Sequence, residues 1–218
     1  MDKTKKEIRY WVASNRSFPG RDIETPEELI EKLVEKKGEL IFFPFWSWKI
    51  PDEILDNHTC VGFHSAPLPQ GRGGTPIQNM IRLGKKHTEL CMFRVTGKLD
   101  GGDVLMRQKV DLSGKLNDIL ERLRTYIFAM INTYNAGPLP GGLDVPTGVN
   151  NVPDKFKRII SNVIPEHDSL KKIYDDIRMR DANDHPKACR FHGKYVIEFT
   201  DATLEKGCVS GRFKFVQR

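Results

Sequence analysis

Grouped cysteines are missing from this sequence. Cys60, Cys91, Cys189 and Cys208 are scattered over 218 residues, with no CxxC pair and no tight Cys/His cluster. That pattern argues against a disulfide framework or a zinc site, and no metal is expected. Long apolar runs are missing too. The longest, Leu40 to Trp46, contains Pro44 and is strand-sized, far short of the roughly 20 residues of a membrane helix. No membrane partner is therefore expected. The start, Met1-Asp2-Lys3-Thr4-Lys5-Lys6, is charged and has no apolar region behind it, so no secretory signal is expected. A reducing, cytoplasmic setting fits the cysteines. Charge is present without being concentrated: 35 Lys and Arg against 29 Asp and Glu give a net +6, with no arginine-rich block. This balance favours an anionic partner, and a small phosphorylated ligand accounts for it as well as RNA does.

What is there reads as a globular chain, 39% hydrophobic and 29% charged. Ile8 to Ala13 predicts a first strand. Thr25-Pro26-Glu27-Glu28 predicts a helix start, with Thr25 as cap, Pro26 at the first helical position and Glu28 completing a capping box. Leu29, Ile30, Leu33 and Val34 then share one helical face, and Gly38 ends that helix. Leu40 to Phe45 has the continuous apolar character of a strand buried on both faces. A short segment, Pro51 to Leu55, leads to a further strand over Cys60 to His64. Gly73-Gly74-Thr75-Pro76 opens another helix, with Thr75 as its expected cap. Glu89 to Arg94 and Val104 to Val110 predict two more strands, and Leu112 to Tyr134 a long amphipathic helix. Ala136 to Pro153 is rich in Gly and Pro and reads as a loop. Ser169 to Arg180 predicts a helix; Lys194 to Thr200 and Gly211 to Gln217 predict strands.

Strands and helices alternating at these intervals predict an α/β fold. The expected architecture is a trimmed Rossmann-like, mostly parallel sheet with helices on both faces, plus a small C-terminal β-containing appendage. The expected division is a catalytic unit over 1–135, a linker region over 136–168 and the appendage over 169–218.

The densest chemistry lies between residues 57 and 108. His64 stands at the end of a predicted buried strand, and ligands of parallel sheets bind beyond the carboxyl ends of the strands. A histidine there is suited to general acid/base work near neutral pH. Asp100 lies in the turn-rich run Lys98-Leu99-Asp100-Gly101-Gly102-Asp103, from which a carboxylate can reach back toward the strand ends. Taken singly, a strand-end histidine is more often structural, and Asp-Gly-Gly is more often only a turn.

The two runs together resemble the formyltransferase superfamily. The family pattern Asn-x-His-x-Ser-x-Leu-Pro, followed by Arg-Gly and a helix, is met by Gly62-Phe63-His64-Ser65-Ala66-Pro67-Leu68-Pro69 and Gly71-Arg72-Gly73-Gly74-Thr75-Pro76. The pattern Asp-x-Gly-x-(Ile/Val)-Leu is met by Asp100-Gly101-Gly102-Asp103-Val104-Leu105. His64 and Asp100 stand 36 positions apart, the spacing expected for the family. The resemblance covers about residues 40 to 125.

It implies transfer of a formyl group from 10-formyltetrahydrofolate to an amine. His64 would polarise the formyl oxygen and relay a proton, and Asp100 would orient His64 or a water and help deprotonate the amine. Phe45, Trp46, Ser47, Trp48, Lys49 and Ile50 occupy the position of the family's pterin-holding loop. Val95, Thr96, Gly97 and Leu99 would form the opposite wall. Trp46 and Trp48 offer flat apolar faces to a ring, although a core or interface position explains them equally well. Asn15, Arg16 and Arg21 after the first strand, and Ser65, Gln70, Arg72 and Gly73 after the third, are the candidate substrate contacts.

One departure stands out. The family asparagine two residues before the histidine is Gly62 here. Losing an oxyanion donor costs about 3–4 kcal/mol of transition-state stabilisation unless another group replaces it. Asn57, Asn79, Ser65 or a backbone N–H are the candidates.

Tyr174 to Asp181, followed by His185-Pro186-Lys187-Ala188, resembles the entry to the C-terminal domain of the methionyl-tRNA and sugar enzymes of the family. The short run after Pro186 favours a nucleotide-linked amino sugar over tRNA as acceptor, since an OB barrel needs five strands. Nucleic acid is thus not the expected partner, and the sugar-modifying relatives suggest a homodimer. The alternatives are a methionyl-tRNA formyltransferase, a formyltetrahydrofolate hydrolase, or, because of Gly62, a folate- or nucleotide-binding protein without turnover.

Overall fold

The computed structural model describes residues 10–137 and 151–217. Residues 8 and 9 of the expected first strand, and most of the expected Gly/Pro-rich loop, lie outside them. The described residues group into two compact units that do not follow chain order. One is built from 10–64, 90–108 and 124–137, the other from 65–89, 109–123 and 151–217.

A five-stranded sheet carries the expected α/β fold. Its strands are β1 (Tyr10–Val12), β2 (Leu40–Phe43), β3 (Thr59–His64), β5 (His87–Arg94) and β6 (Val104–Asp111), in the order β1-β2-β3-β5-β6. β1, β2 and β3 run parallel, with Phe42 opposite both Val12 and Val61. β5 runs antiparallel to β3, placing Phe93 opposite Gly62 and Cys91 opposite His64. The parallel part thus stops at β3.

In the first unit, β2 is apolar because both its faces are covered: Ile41, Phe42 and Phe43 are all buried. The Phe42 ring meets Tyr10 and Tyr134 edge-on, at 5.3 and 5.6 Å between centroids. Helix α1 (Pro26–Leu33) starts as expected, the Glu28 N–H donating to the Thr25 hydroxyl at 3.2 Å. The Glu28 carboxylate accepts from the Glu24 N–H at 2.8 Å, one residue further back than in a standard capping box. α1 buries Leu29 and Leu33 against Ile23, Ile41, Ile54 and Cys60. Truncating one such fully buried leucine to alanine costs about 2–5 kcal/mol. Helix α2 (Asp52–Asn57) follows β2 where only a short segment was expected.

The second unit holds the two-residue strands β4 (Arg72–Gly73) and β7 (Lys155–Phe156), helices α3 (Pro76–Arg82) and α5 (Leu170–Arg178), and the strands β8 (Ala188–His192), β9 (Tyr195–Glu205) and β10 (Cys208–Gln217). β8, β9 and β10 form an antiparallel sheet in the order β10-β9-β8. β4, β7 and β8 are not among the expected strands; β4 and β7, at two residues each, are too short to show a period. Thr75 does not cap α3. Its backbone is left-handed (φ 52°), and its hydroxyl instead accepts from the Ile159 N–H at 2.9 Å. The long helix α4 (Leu116–Asn135) starts four residues later than expected. The Asp111 and Ser113 carbonyls before it are held in a turn by the Arg122 guanidinium, at 2.6 and 2.7 Å.

Buried charge is concentrated around α5. Arg178 reaches the Asp175 carboxylate at 2.6 Å and the carbonyls of Leu112 and Gly114 at 2.6 and 2.9 Å. Asp176 accepts from Arg82 and Arg180, each at 3.1 Å, and lies 2.5 Å from the His167 ring. Asp181 accepts from the Asp201 N–H at 2.7 Å. Buried charges persist only when paired, and each of these is. Burial pulls the Asp176 carboxyl upward, but its bonds to His167, Arg180 and Arg82 outweigh that and leave it below the usual carboxylate range. The Tyr174–Asp181 run is thus an ionic anchor for the C-terminal strands.

All four cysteines are free thiols. Cys60 and Cys91 are buried, and burial pushes the Cys60 thiol up to about 12, which makes it unreactive. Among the described residues no helix is long and apolar enough to cross a membrane.

Candidate active site

The first unit brings the carboxyl ends of three adjacent parallel strands together with the β5–β6 connection. His64 closes β3 and is buried, its side chain only 7% exposed. Asp100 approaches it from the connection, with 3.7 Å between His64 Nδ1 and the nearer carboxylate oxygen. That is longer than a hydrogen bond.

The turn presenting Asp100 explains its glycines. Asp100 has a left-handed backbone (φ 45°), and a Cβ on Gly102 would lie 1.6 Å from the Arg94 carbonyl oxygen. Only glycine lets the connection fold this tightly onto β5. The Arg94 N–H, bonded to the Asp103 carbonyl at 2.9 Å, fixes its base.

The Gly62 position has been rebuilt. A Cβ there would meet the Phe93 ring at 2.9 Å and Val95 at 3.0 Å. The two side chains fill the volume an asparagine would need. Two of the suggested replacements are committed elsewhere. The Asn57 amide donates to the Glu53 carbonyl at 2.8 Å, and the Asn79 amide to Gly74, Thr75 and Lys157.

The loop after β2 forms the second wall. Phe45 has a left-handed backbone (φ 53°), unusual for an aromatic residue and a mark of local strain. Trp46 packs edge-on against Phe43 at 5.6 Å and against Trp48 at 5.0 Å. Trp48 is exposed over 44% of its surface and Ile50 belongs to the core. Lys49 pairs with Asp52 at 3.2 Å. After β1, Asn15 donates from its amide to the Ser47 hydroxyl at 3.0 Å, joining two of the expected site segments. Two buried polar atoms here have no partner, the Trp46 indole N–H and the Asn15 carbonyl oxygen. Val95 packs on the same core as Trp46, while Thr96, Gly97 and Leu99 are exposed.

The other expected contacts lie in the second unit. The Ser65 carbonyl accepts from the Thr88 hydroxyl at 2.9 Å, Gln70 is exposed, and Arg72 and Gly73 form β4. Arg16 and Arg21 stay in the first unit, Arg21 paired with Glu24. Among the described residues no group of three or more His, Cys, Asp or Glu could hold a metal.

A family model described as formyl transferase matches residues 2–125, more than half of the chain. The chain belongs to the formyl transferase family. A second model, described as the C-terminal domain of methionyl-tRNA formyltransferase, matches residues 161–216. The methionyl-tRNA formyltransferase of Bacillus subtilis (strain 168) is 36% identical over 100 residues, which are 43% of this chain and 32% of that protein. The chain thus spans about a third of that relative's length. A solved methionyl-tRNA formyltransferase from Clostridium thermocellum is 29% identical with a TM-score of 0.74, covering 96% of this chain and 99% of that one. A sugar N-formyltransferase from a Shewanella species shares the fold at 14% identity and a TM-score of 0.55, covering 88% of this chain and 73% of that one.

Proposed function

We propose that this formyl transferase family member moves the formyl group of 10-formyltetrahydrofolate to the primary amine of a nucleotide-linked amino sugar. The observation that carries formyl transfer is Asp100 of the β5–β6 connection standing 3.7 Å from His64 at the carboxyl end of β3. The donor supplies an activated formyl carbon. The Trp46 N–H and the Asn15 oxygen, one unpaired donor and one unpaired acceptor, suit a pterin edge that carries both kinds of group.

His64 holds a proton toward the formyl oxygen, where negative charge develops as the amine attacks. Asp100 keeps the imidazole oriented and helps remove the proton that the attacking amine must lose. The 3.7 Å contact closes to a hydrogen bond when the reactants are in place, as acid/base pairs in unliganded sites commonly do.

Methionyl-tRNA is the second reading. It is favoured by the residue-level likeness to proteins of that name and by the model matching residues 161–216. The test offers 10-formyltetrahydrofolate with a panel of nucleotide-linked amino sugars, or with methionyl-tRNA, and follows tetrahydrofolate release and formylated product by mass. Turnover on a sugar amine that falls about 10²–10⁴-fold in His64→Ala is expected. Turnover on methionyl-tRNA alone moves the acceptor to the second reading. No turnover on any amine, or an unchanged rate in His64→Ala, overturns the mechanism.

A further inference from the structure

Arg72 poses a problem that formyl transfer does not explain. Its Nε is buried and has no hydrogen-bond partner. Through the parallel β4–β7 pairing it stands directly opposite Lys155. Like charges at paired positions of neighbouring strands repel and destabilise the pair. No described acidic side chain pairs with either one. Arg158 adds a third cation: its side chain lies over Gly74, with Cβ 2.8 Å and Nε 3.0 Å from where a glycine Cβ would be.

The arrangement is held rigidly, not merely tolerated. The Gly71 N–H donates to the Pro153 carbonyl at 2.7 Å and the Arg72 N–H to the Asp154 carbonyl at 3.2 Å. Thr75 accepts from the Ile159 N–H at 2.9 Å, and the Asn79 amide donates to the Lys157 carbonyl at 3.0 Å. Gly73 (φ 104°) permits the approach, since a Cβ there would sit 2.7 Å from the Phe156 carbonyl oxygen. Fixed backbone that gathers unpaired cations is the preorganisation an anion site needs.

We propose that the β4–β7 ribbon is a phosphate-binding cradle, in which Arg72, Lys155 and Arg158 hold paired phosphates of the acceptor. The cradle rests on the phosphate-bearing acceptor of the functional reading, but it is testable without formyl transfer. A diphosphate bridging Arg72 and Lys155 turns their repulsion into attraction and gives the Arg72 Nε an acceptor. The same chemistry is offered by a nucleoside diphosphate and by adjacent backbone phosphates of RNA.

Calorimetric titration of the full chain, without formyl donor, uses inorganic pyrophosphate, uridine diphosphate and an RNA acceptor-stem hairpin as probes. Binding that weakens with salt, and falls about tenfold or more in Arg72→Met and in Lys155→Ala, is expected. Lys155 is exposed, so its variant keeps the test valid if Arg72→Met fails to fold. Loss confined to pyrophosphate and uridine diphosphate identifies a small acceptor; loss confined to the hairpin identifies RNA phosphates. Binding of all three probes unchanged in both variants, or no binding by the wild-type chain, overturns the cradle. Variant-sensitive binding without turnover on any amine would sustain the cradle and overturn formyl transfer alone.

Discussion

Around α5, Asp175, Asp176, Arg178, Arg180 and Asp181 are buried and every one of them is paired. At the strand ends of the first unit the Trp46 N–H and the Asn15 oxygen are buried with no partner, and Phe45 and Asp100 carry left-handed backbones. The α5 network spends its polar groups on itself and so fixes the C-terminal strands. The strand-end region leaves donors and acceptors unspent and holds strained backbone, as expected of a surface that waits for a ligand. Among the described residues, the buried side-chain atoms without partners belong to Asn15, Trp46, Arg72 and Asn135. The first three are candidate contacts; nothing in the structure explains Asn135.

The comparison is most easily broken at Arg178. Arg178→Met leaves the Asp175 carboxylate and two carbonyls without their donor, and should cost about 3–5 kcal/mol of stability, measured by urea unfolding. A loss under about 1 kcal/mol would show that the network is not structural. The Asp176 carboxyl, held below its usual range, tests the same network by pH. A depressed carboxyl stabilises the fold above its unfolded value near 3.8, and that contribution disappears as the pH falls through the lower folded value. Unfolding followed from pH 5 down to pH 2 should therefore show a steeper acid loss in the wild type than in Asp176→Asn.

Gly62→Asn comes next. The new side chain must displace Phe93 and Val95, and overpacking of this kind costs about 1–3 kcal/mol. Adding Val95→Ala should recover stability in a thermal melt and raise turnover. If Gly62→Asn alone is as stable as the wild type, the filled-volume account fails. The smallest effect is expected at Trp46. Trp46→Phe removes a buried N–H that bonds to nothing, so stability should change by less than about 1 kcal/mol. Affinity for the folate donor should fall, read by fluorescence titration; unchanged affinity would remove Trp46 from the pterin wall.

Much of this was legible in the sequence because it rests on local chemistry. Thr25-Pro26-x-Glu28 starts α1 through bonds within four residues, and the apolar run from Leu40 marks β2 because both its faces are covered. His64 and Asp100 stand out because the two runs around them resemble the family's motifs at the family's spacing. The shape of the Arg72 surroundings was not legible. Lys155 and Arg158 lie in a stretch with no periodicity, and nothing local says that a strand of two residues there pairs with another far earlier in the chain.

The sequence by itself determined the α/β class and the longer strands and helices, which follow from propensity, capping and periodicity, and its two motifs were legible through their resemblance to the family's. Only the tertiary structure decided what surrounds them. It filled the Gly62 position with Phe93 and Val95 across an antiparallel partner, left the Trp46 and Asn15 atoms unpaired, and set Arg72 opposite Lys155. Those outcomes depend on which strands meet and in what register, a property of the folded chain that no stretch of its residues encodes alone.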